Sequence, residues 1–235
     1  MPLFDIAALC IFLFLWLFYE PLLPRLAGGH RALHEQMVDL RTGWMRALTR
    51  RETRLMDSQF LGHTINSASF FGSANMIAIA ALGGLLFGGE ARLKDLEQFQ
   101  FLSHSPIWLL EFKAGLMLAA LARGMLDFIW AIRQLNYCLA AIGAIPEGLD
   151  EAGRNRWADA LTAMLNPALK TFSRGVRAYY FSLAAAGWLF GPVALIVTSI
   201  AAAWLLAWRQ TRSEAATGVA RVSALLEVAH DARRD

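Results

Sequence analysis

Four stretches of this chain stay apolar over the roughly 20 residues that a helix needs to cross a bilayer. They cover about residues 3–23, closed by Pro21 and Pro24, then 61–87, running into Gly88-Gly89, a third within 106–144, and 178–208. Backbone polar groups exposed to lipid must be satisfied within their own segment, so these spans are helices. The short alternating segments of a membrane β-barrel are absent. Composition agrees: 57% of the 235 residues are hydrophobic, 17% are charged and the mean hydropathy is +0.41. About 25% charged residues is usual for a soluble domain. A secreted disulfide scaffold, a disordered tail and an ordinary cytosolic enzyme are thereby excluded. The expected fold class is all-α, an integral membrane bundle of four transmembrane helices with an amphipathic helix between the first and second spans. Residues 1–208 hold the spans, and 209–235 form a helical tail.

The amphipathic helix is expected over about 31–56. Leu33, Met37, Leu40, Trp44 and Leu48 recur as one helical stripe, with Arg31, Glu35, Asp39, Arg46, Arg50 and Arg54 opposite. Such a stripe packs on a membrane surface or against a partner helix. A second amphipathic piece runs over 150–165 and is expected to stop at Asn166-Pro167. In the tail, Val219, Val222, Leu225 and Leu226 have mixed helical spacing, which fits either an extension of the fourth helix or a further surface helix.

Residues 1–19 read as an uncleaved first span, since Asp5 replaces the basic n-region of a signal peptide and no small-x-small site follows. Orientation comes from the positive-inside rule. The loop from 25 to 60 holds seven Arg, the one from 146 to 177 five Arg and Lys, the one from 89 to 106 only Arg92 and Lys94, and the tail five Arg. The first and third loops are then cytoplasmic and both termini lie outside, in a bacterial inner membrane. The net charge of +3 comes with no compact basic patch interleaved with aromatics, so no nucleic-acid partner is expected. The expected partners are membrane lipid and other membrane subunits or further copies of the chain.

Signatures of soluble catalysis are missing: there is no HExxH, CxxC, nucleophile elbow, P-loop or dinucleotide fingerprint. Cys10 and Cys138 have no metal or disulfide spacing. His30 and His34 stand one turn apart without a third ligand, and His63 has no second axial partner for a haem. No cofactor or metal is expected.

The third span is richer. Arg123 and Asp127 lie one turn apart, with Gln134, Arg133 and Asn136 further along. If Glu111 and Lys113 mark the outer interface, a span of 112–132 puts Arg123 near mid-membrane. A charge there costs from about 2.5 kcal/mol upward, so it should pair. The pair either lines a transport path or locks the third helix to Asn66 or Asn75 of the second, and the structural reading is preferred. Arg174, Arg177, Tyr179 and Tyr180 form a basic and aromatic entry to the fourth span, which the positive-inside rule and an aromatic belt explain, a lipid headgroup or anion contact being the alternative. Small-residue rows at Ser69 and Ser73, at Ala80, Gly84 and Gly88, and at Gly187 and Gly191 permit close helix contacts. Pro192 should kink the fourth helix.

Three segments together resemble a known family. His63-Thr64-Ile65-Asn66-Ser67 opens the second span and Ala131-Ile132-Arg133-Gln134-Leu135-Asn136-Tyr137 closes the third. Arg174-Gly175-Val176-Arg177-Ala178-Tyr179-Tyr180-Phe181-Ser182-Leu183 enters the fourth. Their order and spacing are similar to the membrane family catalogued as domain of unknown function 599. The resemblance implies a multi-span membrane protein and supplies no activity, cofactor or catalytic residue. The leading expectation is a non-catalytic accessory or scaffolding subunit, or a homo-oligomer. The alternative is a small transporter or channel using Arg123, Asp127, Asn66 and Asn75.

Overall fold

The computed structural model describes residues 3–26, 33–88 and 106–231. Every regular element in them is helical: α1 (Leu3–Leu26), α2 (Leu33–Leu48), α3 (Leu55–Leu86), α4 (Ile107–Gly143), α5 (Glu151–Ala186), a 3-10 turn (Gly187–Phe190), α6 (Pro192–Thr211) and α7 (Glu214–Asp231). Four helical stretches are long and apolar enough to cross a membrane: Leu3–Leu23, Leu55–Leu86, Ile107–Gly143 and one that begins at Pro192. α1 runs on through Pro21 and Pro24 instead of closing there. A proline removes one backbone donor, and lipid favours keeping the remaining bonds helical.

The chain forms two compact units, and α3, α4 and α5 each contribute to both. The first unit takes Met1–Leu26, Phe71–Asp127 and Arg174–Ala207. Within it α1 is antiparallel to the second half of α5. Asp5 meets Trp188, Phe12 packs edge-on against Phe181, and Glu20 pairs with Arg177. The first half of α4 is antiparallel to the same stretch, with Phe112 against Trp188 and Asp127 against Arg174. α3 is tied in through Asn75, which donates to the Leu121 carbonyl at 2.7 Å, and through Phe71, whose carbonyl accepts from the Tyr179 hydroxyl at 2.5 Å.

The expected single span over 178–208 is two helices. The chain reverses at Gly191, where φ is 116°, a conformation costly for any residue with a Cβ. Pro192 next to it brings no backbone donor, so α5 ends in the 3-10 turn and α6 runs back along it. The Thr198 hydroxyl donates to the Ala184 carbonyl at 2.8 Å, and Gly187 lies against Thr198. A kink is thereby replaced by a hairpin.

The second unit takes Ala27–Phe70, Phe128–Ser173 and Trp208–Asp235. Its core joins Met45 and Leu48 of α2, Leu61 of α3, Leu135, Cys138 and Ile142 of α4, and Ala158, Leu161, Leu165 and Ala168 of α5. α2 ends at Leu48, short of the expected 56. The Asp57 carboxylate at the start of α3 takes the Trp44 indole N–H at 2.6 Å and pairs with Arg51. An acid in a first turn favours a new helix there. α5 continues through Pro167, which was expected to stop it. Leu165 and Ala168 are buried on either side of that proline, and Asn166 accepts from Arg41 at 3.2 Å.

α7 starts at a serine cap, with the Ala216 amide donating to the Ser213 hydroxyl at 3.2 Å. It is therefore a separate helix, and it lies on α2. Gly43 faces Leu226, and Ser223 donates to Asp39 at 3.1 Å. Arg50 of the first interspan loop also pairs with Glu151 of the third. Tail, first loop and third loop thus pack together within the second unit.

Candidate functional site

A cavity of about 410 Å³ opens between α1, α4 and α5 of the first unit. Trp16, Leu17, Tyr19, Glu20 and Pro21 line it from α1, Arg123 and Asp127 from α4, and Arg174, Arg177, Ala178 and Phe181 from α5. Helical periodicity explains the grouping. Residues 16 and 20, 123 and 127, and 174, 177, 178 and 181 are each one or two turns apart on one face.

Asp127 is the hub. Its Oδ2 lies 3.4 Å from Nε of Arg123, and its Oδ1 lies 3.4 Å from Nη2 of Arg174. The carboxylate is buried, while the Arg123 side chain keeps 59% of its surface exposed. Charge-assisted bonds normally close to about 2.7–2.9 Å, so neither contact with Asp127 is fully closed. Arg177 pairs with Glu20 and stands 5.6 Å from the centroid of the Tyr19 ring, a distance at which the ring face attracts a cation. The Tyr19 hydroxyl is buried and makes no hydrogen bond. A buried polar group normally finds a partner, and this one belongs to a cavity wall.

Two of the sequence groupings meet here: the Arg123–Asp127 pair and the Arg174–Arg177 entry. The others lie elsewhere. Tyr179 is spent on the Phe71 carbonyl, and Tyr180 is not part of the wall. Asn75 holds α3 to α4 beside Gly124 and is not part of the wall. Asn66 and Asn136 are exposed and Gln134 is partly buried, the latter two beside the core of the second unit. Met37, Leu40 and Trp44 line an open apolar groove of about 340 Å³ together with Val222 and Leu226. Leu33 is half-buried and Leu48 wholly buried. His30 and the loop bearing Arg92 and Lys94 lie outside the described residues.

Sequence reasoning missed Trp16, Tyr19, Glu20 and Phe181. Glu20 was the available signal, an acid closing an apolar run before two prolines. A second buried cluster was missed as well. Lys113, expected at the outer interface, is 1% exposed with its ammonium 5.8 Å from the Trp188 ring, and Trp188 donates to Asp5 at 2.7 Å.

The second unit has a polar cleft of about 320 Å³ between residues 49–54 and 146–154. Arg50, Arg51, Arg54 and Arg154 face Glu52 and Glu147 there, and Arg50 and Arg51 are already paired with Glu151 and Asp57. Its charges balance, and it offers an anion little.

Large apolar side chains point outward: Phe70, Ile77, Leu126, Leu183 and Trp204 are each more than 60% exposed. Asp5, Lys113, Asp127 and Asn75 are buried. Polar groups turned inward and apolar ones outward, on helices of spanning length, define a helical integral membrane protein. The family described as "Protein of unknown function, DUF599" matches residues 7–215, and the chain belongs to it. No curated protein and no solved structure matches it.

Proposed function

We propose that the chain is a small membrane transporter or channel whose substrate path includes the α1–α4–α5 cavity. One observation carries this reading. Three arginines and two carboxylates from three helices gather around one open cavity, where a purely structural ion pair would close on itself. Ionisable groups inside a membrane bundle are costly and mark pathways by default.

The orientation follows from the shared side of α2, α7 and the third loop. Apart from the cavity arginines, fifteen Arg and Lys flank the spans on that side, against Arg92 and Lys94 on the other. The positive-inside rule then puts α2 and α7 in the cytoplasm of a bacterial inner membrane, with the N-terminus outside. The second half of α5, with the turn to Gly191, would be a fifth crossing beside the four stretches that are long and apolar enough by themselves.

Thiol accessibility tests the path without knowledge of the substrate. In a background lacking Cys10 and Cys138, Trp16→Cys and Arg123→Cys should react with a charged, membrane-impermeant thiol reagent from either side of sealed vesicles. Reaction from one side only would sink the transport reading.

A second reading, the accessory or scaffolding subunit, draws on the groove of Met37, Leu40 and Trp44 with Val222 and Leu226. Native mass spectrometry after gentle extraction would show its signature, a stoichiometric foreign subunit lost on Val222→Glu.

A further inference from the structure

We infer that the α1–α4–α5 cavity takes an amphiphilic monoanion, a singly charged oxyanion such as a phosphodiester or carboxylate joined to an apolar body. The inference deepens the transport reading and rests on it for the site.

Charge sets the sign and number. The walls carry Arg123, Arg174 and Arg177 against Asp127 and Glu20, an excess of one positive charge. Glu20 is committed to Arg177, and Asp127 is divided between Arg123 and Arg174. A guest with one negative charge neutralises the site. A dianion would have to displace Asp127 or Glu20, and a cation would add to the surplus.

Geometry places the oxyanion. Arg123 and Arg174 approach opposite oxygens of Asp127 at 3.4 Å each, and Arg123, with 59% of its side chain exposed, retains donors to turn toward a guest. A guanidinium presents five N–H groups in a planar fork that suits carboxylate and phosphate oxygens. The Tyr19 hydroxyl, 98% buried by residue and without a hydrogen bond, supplies a further donor in the same wall. Trp16, Leu17, Pro21 and Phe181 provide the apolar remainder, which favours an organic body over inorganic phosphate. A volume of about 410 Å³ falls within the roughly 300–1,000 Å³ typical of small-molecule sites. A phospholipid headgroup and a soluble organic acid share this chemistry.

The test uses the full chain purified in mild detergent. Its thermal midpoint is followed with dibutyl phosphate, benzoate, neutral benzamide and cationic benzyltrimethylammonium, and native mass spectrometry reads phosphatidylglycerol retained from the membrane. The two anions should raise the midpoint in a saturable way. Arg123→Gln should weaken them at least tenfold and Tyr19→Phe several-fold, with unliganded midpoints close to that of the parent. Arg123 is more than half exposed, so its variant folds. Phosphatidylglycerol retained by the parent and lost in Arg123→Gln identifies the lipid source. Response to the soluble anions without retained lipid identifies a soluble one. Stabilisation by benzamide or benzyltrimethylammonium equal to that by the anions overturns the anion class. An anion effect unchanged in Arg123→Gln, or no response to any probe, overturns the ligand site. Labelling of Trp16→Cys from both sides is read separately, so failure of the ligand class and failure of the path are told apart.

Discussion

The indole of Trp188 donates to the carboxylate of Asp5 at 2.7 Å, across 183 residues of sequence, with both side chains buried. This bond pins the start of α1 to the 3-10 turn that reverses the chain after α5. The Lys113 ammonium of α4 lies 5.8 Å from the same indole, so three helices meet around one buried polar cluster.

A double-mutant cycle on Asp5→Ala and Trp188→Phe should give a coupling of about 0.6 kcal/mol, the average for bonds between helices in membranes. That is below the about 1.5–3 kcal/mol of a charged hydrogen bond in a soluble protein, because a chain unfolded within the membrane still finds partners. Unfolding in mixed micelles measures it, and additive single effects would remove the cluster as a stabilising contact.

Gly124 should not tolerate a side chain. A Cβ there would stand 2.6 Å from that of Ala178 and 3.3 Å from the Gly175 carbonyl oxygen, whereas nothing lies within 4 Å of the corresponding point at Gly115. Gly124→Ala is expected to cost about 1–3 kcal/mol, as overpacking does. Gly115→Ala, on the same helix, should be neutral or stabilising. Thermal midpoints of the two variants make the comparison.

Exchanging Arg123 with Asp127 should not restore the parent, even if the pair is purely structural. The swapped chain would place Arg at 127 against Arg174, which now stands 3.4 Å from the carboxylate. An unpaired charge at membrane depth costs at least about 2.5 kcal/mol, so the double variant should be less stable than Arg123→Gln alone. Adding Arg174→Asp should recover much of the loss. Equal stability of the swap and the parent would show that Arg174 plays no part.

A reporter fused after Asp235 should be active only in the cytoplasm, and a thiol placed between residues 89 and 105 should label only from outside. The expectation for the tail reverses the one drawn from loop charges alone. It follows from α7 lying on α2, with Ser223 bonded to Asp39.

Much of this protein was legible in the chain itself. Long apolar runs in lipid have one solution, so helices, membrane residence and the amphipathic stripe at Leu33 to Leu48 all followed from spacing and polarity. Arg123 and Asp127 were readable as a pair because the contact is local, one helical turn. Tertiary structure decided what depends on long-range contacts. It brought Arg174 and Arg177 to Asp127 and Glu20, turned the expected kink at Pro192 into a hairpin through Gly191, and laid the tail on α2. Hydrophobic periodicity says which face of a helix is buried and is silent about the neighbour that buries it. The reversal at Gly191, the place of the tail and the composition of the cavity all rest on those neighbours.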